Sequence, residues 1–176
     1  MTNQSAACPV TRAELFQRFD ELGIATRTIE HEPLYTVAES QAARQDLPGG
    51  HCKNLFLKDK KGALYLVVVL EDRDVPIQKL AKHIGAARLS FGRAELLFSV
   101  MGVEPGSVTP FALINDCDQR LAVVLDQEML AHDLLNYHPL RNDATTALKS
   151  ADLLRFIEAC GHRPRIVNFA ALGESG

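Results

Sequence analysis

The sequence predicts an α+β fold in which a mixed, largely antiparallel sheet carries flanking helices. Two strand-like runs, 52–58 and 63–70, are joined by a turn-rich loop of hairpin length, which favours an antiparallel pair. Segments with helical spacing and capping signals alternate with such strands along the chain. Apolar residues make up 47% of the sequence, enough to bury a core, and 176 residues favour one domain covering 1–176.

The N-terminal segment is expected to open with a helix. Thr11-Arg-Ala-Glu14 is a capping box, apolar residues follow it at helical spacing, and Gly23 ends the pattern. A short extended segment over 27–31 comes next. A second capping box, Thr36-Val-Ala-Glu39, then predicts a helix to about Asp46, where a Pro-Gly-Gly run interrupts it.

The middle of the chain combines the predicted hairpin with two helices. The strand over 63–70 is apolar almost throughout, so it should be central and covered on both faces. Pro76, at a first-turn position, opens a helix that runs to His83. Apolar residues at helical spacing predict another helix over 93–101.

The chain changes character after residue 102. Residues 103–110 hold two prolines and a glycine, too constrained for a helix and too interrupted for a strand. Ser150 is expected to cap a final helix that ends at Gly161. Five strands are expected in this half, over 111–114, 121–125, 133–137, 144–148 and 165–169.

The charge balance narrows the classes of partner. Lysine and arginine number 19 against 22 acidic residues, a net charge of −3. A protein that grips long duplex phosphate backbones would be more basic, and the sequence has no basic recognition helix, so a DNA-binding regulator is disfavoured. A small local contact with nucleic acid is compatible with this charge.

Cysteine usage and hydropathy point to a cytoplasmic protein. The four cysteines include no C-x-x-C pair, and the N-terminus is polar, without the apolar stretch of a signal peptide. The longest apolar run, 63–70, has eight residues, whereas a membrane span needs about 20. We therefore expect reduced thiols and no membrane partner.

Familiar catalytic signatures are missing from the sequence. It contains no G-x-S-x-G elbow, no glycine-rich phosphate loop and no histidine pair at i, i+4 spacing. Covalent and metal-dependent mechanisms are therefore disfavoured, and no cofactor or metal is expected.

An unusual polar pair lies inside the first predicted hairpin strand. Lys53 and Asn54 are poor strand residues, and alternation places Lys53 on the face of Leu55 and Leu57. Such a charge either points into a cleft or snorkels from an edge strand, where it discourages aggregation.

Two further segments are unusually rich in residues that stiffen the backbone or could contact a ligand. The segment 102–110 is stiffened by its prolines, so it either aims backbone groups at a ligand or is an ordinary connector. The segment 138–146, His-Pro-Leu-Arg-Asn-Asp-Ala-Thr-Thr, packs a histidine, an arginine and hydroxyl groups together. A solvated hairpin loop would look the same.

Together and in this order, the three segments resemble the free-standing aminoacyl-tRNA editing domains related to the bacterial prolyl-tRNA synthetase insertion domain (YbaK-like). The matching strings are Lys53-Asn-Leu-Phe56, the run from Gly102 to Phe111, and 138–146, and the likeness spans roughly 14–167. The resemblance implies a mixed sheet with flanking helices, no metal, and hydrolysis of the ester between an amino acid and the terminal adenosine of tRNA. It is greatest to the deacylases that clear alanine from the proline tRNA.

The resemblance also implies roles for individual residues. Lys53 would be the catalytic lysine and Asn54 its polar neighbour at the ester. The implied substrate-binding residues comprise the Gly-x-x-x-Pro loop, a pocket histidine and an apolar wall, namely Gly106, Ser107, Val108, Thr109, Pro110, His138 and Leu55.

The implied partner is the acceptor end of mischarged tRNA, since only a single strand must enter such a site. Lys58, Lys60 and Lys61 are candidates for a local basic patch, or form a solvated hairpin tip. A non-catalytic module that binds tRNA or an amino acid with the same fold is the alternative function.

Overall fold

The computed structural model describes residues 9–33, 38–39 and 47–174. Within them, eight strands form one sheet in the order β1-β7-β6-β2-β3-β5-β8, with β4 attached to β2. The strands are β1 (Thr26–Glu30), β2 (Gly50–Asp59), β3 (Leu64–Leu70), β4 (Leu89–Phe91), β5 (Leu121–Asp126), β6 (Leu134–Tyr137), β7 (Ala144–Lys149) and β8 (Arg165–Val167). The helices are α1 (Arg12–Glu21), α2 (Ile77–Ile84), α3 (Ala94–Met101), α4 (Ser150–Ala159) and α5 (Phe169–Glu174), with 3₁₀ turns at Pro110–Asn115 and Met129–Ala131.

The sheet is mixed, as the sequence predicts. Four described pairings are antiparallel (β1 with β7, β6 with β7, β2 with β3, and β2 with β4). The pairings of β2 with β6, β3 with β5, and β5 with β8 are parallel. The predicted hairpin is β2 and β3, and β3 is almost fully buried, which confirms its expected central place.

Helices cover both faces of this sheet. The face of β2 that carries Phe56 belongs to a core built around Phe19, Phe111 and Phe156, and we call it the aromatic face. The opposite face carries Leu57 and packs in one cluster with Leu80 of α2, and we call it the α2 face. No helix in the described part of the chain is long and apolar enough to cross a membrane.

The capping box at the first helix is present as predicted. The Thr11 hydroxyl accepts a hydrogen bond from the Glu14 N–H, and the Glu14 carboxylate accepts one from the Thr11 N–H. The helix predicted over 36–46 lies outside the described residues apart from 38–39.

The strand predicted over 111–114 is wrong, since these residues belong to the 3₁₀ helix Pro110–Asn115. The Thr109 hydroxyl accepts a hydrogen bond from the Phe111 N–H at 3.3 Å, and Pro110 fixes φ at the first position. Helical turns then bury Phe111 without any strand partner.

Two boundaries and one additional strand also differ from the sequence prediction. Ser150 is the first residue of α4, and its cap is Lys149, the end of β7. The last strand stops at Val167, because the Asn168 side chain accepts from the Ala171 N–H and α5 begins. The three-residue strand β4 has no counterpart in the sequence prediction.

Candidate functional site

The sheet has a gap along one edge of β2. Its other edge pairs with β3 from Cys52 to Lys58. The gapped edge pairs with β6 at Gly50 and His51, and with β4 only from Leu57 onward. The Gly92 N–H bonds the Phe56 carbonyl at 3.0 Å, so among the described strands none pairs with this edge over 52–55. We call this opening the β2 gap, and it contains the predicted residues Lys53, Asn54 and Leu55.

Lys53 lies on the α2 face at the middle of the gap. It is directly opposite buried Val69, and alternation aligns it with Leu55 and Leu57, as the sequence predicts. The side chain is half-buried, and it makes no hydrogen bond or ion pair with the described residues. β2 is an interior strand of the sheet, so Lys53 occupies an opening within the sheet and not its outer edge.

Asn54 points to the aromatic face from the same gap. Its Oδ1 is buried and has no hydrogen-bond partner in the described structure. A buried carbonyl oxygen without a donor costs about 1–3 kcal/mol, so such atoms need an explanation. Asn54 therefore offers an acceptor for which the described residues supply no donor.

The segment 102–110 is rigid, as its prolines predict. The Ser107 N–H bonds the Glu104 carbonyl at 3.0 Å, closing a turn with Pro105 at its second position. Gly106, at the third position, has the positive φ (89°) that a type II turn requires. The Asn115 amide donates to the Met101 carbonyl at 2.8 Å and holds the base of the loop.

The loop residues differ in their accessibility. Gly106 is exposed and Val108 half-buried, whereas Ser107, Thr109 and Pro110 are buried. Val108 packs against the core of the aromatic face, the face on which Asn54 lies. The exposed part of the loop thus consists of the turn at Gly106 and the side of Val108.

His138 follows the last residue of β6. The parallel register pairs Gly50 with Leu135 and His51 with Asn136. β6 ends at Tyr137, so His138 begins the loop that leaves the sheet where the pairing of β2 with β6 stops, at one end of the β2 gap.

The protonation state of His138 follows from its surroundings. Burial lowers the pKa of His138 from 6.5, although its hydrogen bond to the Ala144 carbonyl acts in the opposite direction. Nδ1 lies 2.9 Å from that carbonyl oxygen, so we assign the proton to Nδ1. The neutral ring then presents Nε2 as a hydrogen-bond acceptor.

A second histidine, which the sequence analysis missed, stands next to His138. The rings of His31 and His138 have their centroids 6.2 Å apart. His31 Nε2 lies 2.8 Å from the Thr145 hydroxyl, in the segment 138–146. His31 follows β1, which pairs with β7, and this long-range pairing leaves no local signal in the sequence.

Three side chains connect the predicted segments. The Tyr137 hydroxyl, next to His138, donates to the Met129 sulfur at 3.2 Å, and the half-buried Cys52 thiol, next to Lys53, lies close enough to this hydroxyl to affect its pKa. The Tyr137 ring packs on Phe111, which follows Pro110, with centroids 5.6 Å apart. The structure thus brings the three segments together behind the gap.

The cysteine of this group is not an activated nucleophile. Burial raises the pKa of Cys52 to about 12, and burial also raises the pKa of Tyr137 well above 10.0. Both groups are protonated near neutral pH, and thiol reactivity requires the thiolate. Cys52 therefore serves packing.

Lys58, Lys60 and Lys61, the predicted basic patch, are exposed around the β2–β3 hairpin turn. In the described part of the chain, no group of three or more histidine, cysteine, aspartate or glutamate residues is arranged to hold a metal ion.

A family model, curated relatives and a solved structure all relate this chain to tRNA-editing or prolyl-tRNA synthetase associated proteins. Residues 31–156 match the family described as the aminoacyl-tRNA editing domain. The chain is 39% identical to prolyl-tRNA synthetase associated domain-containing protein 1 of Danio rerio, over 94% of this chain and 91% of that protein. It is 34% identical to the prolyl-tRNA editing protein ProX of Acetoanaerobium sticklandii, over 82% and 89% of the two chains. A solved structure described as a candidate trans-editing enzyme for prolyl-tRNA synthetase superposes with a TM-score of 0.69 at 18% identity, covering 90% of this chain and 96% of that chain.

Proposed function

Because this chain belongs to the aminoacyl-tRNA editing domain family, we propose that it is a deacylase that hydrolyses mischarged tRNA, with alanine on the proline tRNA as its substrate. The observation that carries the proposal is the β2 gap. Lys53, whose ammonium has no described partner, and Asn54, whose amide oxygen has no described donor, are consecutive residues of this gap and face opposite sides of the sheet. His138, whose pKa is lowered by burial, follows the strand that pairs with the start of β2. The name of the ProX relative, a prolyl-tRNA editing protein, supports the choice of tRNA.

The reaction needs little more than these groups. The aminoacyl ester is already activated by its charged amino group and by the neighbouring ribose hydroxyl. Water adds to the ester carbonyl, the ribose oxygen leaves, and the proton from water ends on that oxygen. The products are the free amino acid and uncharged tRNA. The protein must position the ester and stabilise the oxyanion, without a covalent intermediate.

Each group in the gap has a role in this proposal. The Lys53 ammonium stabilises the developing oxyanion or a phosphate of the terminal adenosine. The α-ammonium of the substrate donates to loop carbonyls near Gly106 and to the Asn54 amide oxygen, which lacks a donor in the described structure. Because these groups are held by rigid elements, little reorganisation is needed during the reaction.

Selectivity follows from the size of the acyl pocket. A synthetase pocket discriminates one methylene by only about 10–200-fold, so a proline enzyme cannot fully reject alanine. In this proposal Leu55 from the α2 face, Val108 from the aromatic face and His138 form the walls of a second, smaller pocket across the β2 gap. Such a pocket admits alanine and excludes the proline ring.

A deacylation assay tests the proposal directly. The purified chain is incubated with the proline tRNA charged with alanine, cysteine, serine or proline, and ester loss is followed over time. We expect the alanyl ester to be cleaved fastest and the prolyl ester to persist. Equal cleavage of the prolyl and alanyl esters would contradict the size argument. Binding without cleavage of any ester would identify a non-catalytic tRNA-binding module.

A further inference from the structure

An exposed aromatic ring stands at one end of the β2 gap. Phe91 is the last residue of β4, and 64% of its surface is exposed. Among the described strands β4 pairs only with β2, so this ring lies at an open sheet edge. An exposed large apolar side chain on an edge strand favours aggregation unless something binds it.

Basic side chains surround this ring. An open cleft of about 820 Å³ lies between β4 and the start of α3, and Phe91, Lys58, Lys60 and Arg93 line it. The three basic side chains are exposed.

The two acidic residues of the cleft offset part of this charge. The Asp59 carboxylate is buried and accepts hydrogen bonds from the N–H groups of Lys61 and Ala63, each at 2.9 Å. Glu95 is the other acid that lines the cleft, so three basic side chains stand against two acidic ones and the lining keeps a net positive charge. The cleft therefore favours an anionic ligand with a flat surface that can stack on the ring.

The backbone between Phe91 and Arg93 is held in place by a glycine. A Cβ at Gly92 would lie 2.2 Å from the Phe56 ring, so no other residue fits without displacing that ring. The Gly92 N–H also bonds the Phe56 carbonyl at 3.0 Å. Phe91 and Arg93 are thus presented from a fixed main chain, which lowers the entropy lost on binding.

The position of Phe91 aligns it with the candidate site. Phe91 is directly opposite Leu57, whose side chain lies on the same face as Lys53. Leu57 lies four positions along β2 from Lys53, a distance of about 13 Å. A few nucleotides of single strand can cover this distance.

We propose that Phe91 is a stacking platform for a base of the single-stranded 3′ end of tRNA, with its phosphates bound by Lys58, Lys60 and Arg93. This inference rests on the proposed function, since it supplies the path by which the acceptor end reaches the β2 gap. Stacking on an aromatic ring and charge on the backbone are how proteins bind single strands without reading a duplex.

The absence of tryptophan from the chain permits a direct test. The Phe91→Trp variant carries a single tryptophan, and its emission is followed as an RNA tetranucleotide ending in CCA is added. We expect quenching that weakens as salt is raised. The matched control is Phe98→Trp, since Phe98 is exposed on α3 and does not line the cleft. Equal responses of the two variants, or an emission change caused by protein concentration alone, would overturn the proposal.

A second measurement separates this proposal from the deacylase function. Phe91→Ala should raise the KM for charged tRNA by roughly 5- to 150-fold, the loss expected for one stacked base, and leave kcat near native. Its activity on an alanyl ester of adenosine alone should be unchanged. An unchanged KM for charged tRNA, with native activity intact, would remove the platform and leave the deacylase function standing. If the native chain cleaves no ester while Phe91→Trp is still quenched, the deacylase function fails and the RNA platform stands.

Discussion

The ring of Tyr137 packs edge-on against the ring of Phe111, with an interplanar angle of 77° and centroids 5.6 Å apart. Tyr137 ends β6 directly before His138, and Phe111 follows the stiff loop directly after Pro110. Both rings are buried, so the relative position of loop and strand is set by the core behind the site. The groups bordering the β2 gap are therefore held in place before any substrate binds.

Replacing Lys53 with alanine tests the role of its ammonium. We expect the deacylation rate to fall about 10²–10³-fold, the loss typical for one oxyanion donor. Thermal unfolding should change little, because Lys53 makes no hydrogen bond or ion pair with the described residues. Lys82→Ala, on an exposed position of α2, removes the same charge elsewhere and should keep native activity. A near-native rate for Lys53→Ala would remove Lys53 from the mechanism.

Asn54→Leu is expected to separate stability from activity. It removes a buried oxygen that lacks a donor, so the free energy of unfolding should stay level or rise, by up to about 1 kcal/mol. Deacylation should be lost together with the acceptor for the α-ammonium. Urea unfolding and the deacylation assay measure the two effects.

Asn136 provides the contrast for that experiment. Its Oδ1 is also buried without a described donor, but its amide NH2 donates to the Pro48 and Gly50 carbonyls at 3.0 and 3.2 Å. Asn136→Leu should therefore lower the free energy of unfolding, since it leaves both carbonyls without this donor. If Asn54→Leu destabilises the fold as much as Asn136→Leu does, Asn54 is a structural residue.

The sequence predicts the central hairpin of the sheet better than the short elements around it. The hairpin of β2 and β3 is confirmed because its signal is local, namely apolar runs on either side of a turn. Strand β4 has three residues and depends on pairing with Leu57 to Asp59, so its own sequence carries no pattern. The sequence predicts a strand at Phe111, but the Thr109 cap and the packing of Phe111 in the aromatic core favour a 3₁₀ turn.

The candidate site was predictable only in part, for a similar reason. Lys53 and Asn54 are recognisable because polar residues are rare inside an apolar strand. The gap around them depends on how β6 and β4 pair with β2, which no local pattern reports. The contact of His31 with His138 likewise requires the pairing of β1 with β7.

Gly106→Ala tests the conformation of the stiff loop. A side chain at a φ of 89° is strained, so we expect a loss of about 1 kcal/mol in the free energy of unfolding. The turn should relax and move its carbonyl groups, so deacylation should also fall. Gly62 has the same φ of 89° in the β2–β3 turn and is the matched control. Gly62→Ala should lose similar stability and keep its rate; equal loss of rate in both variants would contradict the role of the loop.

The state of His138 predicts how stability depends on pH. Burial lowers the pKa of His138 below the 6.5 of an ordinary histidine, so the unfolded chain takes up this proton at a higher pH than the folded chain does. The neutral, hydrogen-bonded ring therefore makes its full contribution to the free energy of unfolding above the pKa of the unfolded chain. This contribution is lost as the pH falls through the lower pKa of the folded chain. We expect His138→Gln to weaken the drop in the free energy of unfolding between about pH 7.5 and about pH 5, where histidines titrate. Urea unfolding of both proteins across this range measures the difference.

His83→Gln, at an exposed position of α2, should leave the drop in the free energy of unfolding as it is in the native chain. A drop of the same size in His138→Gln would mean that His138 has an ordinary pKa, and its ring would then be part charged in the mildly acidic range. A charged ring in the proposed pocket would repel the α-ammonium of the substrate, so the pocket depends on the neutral form.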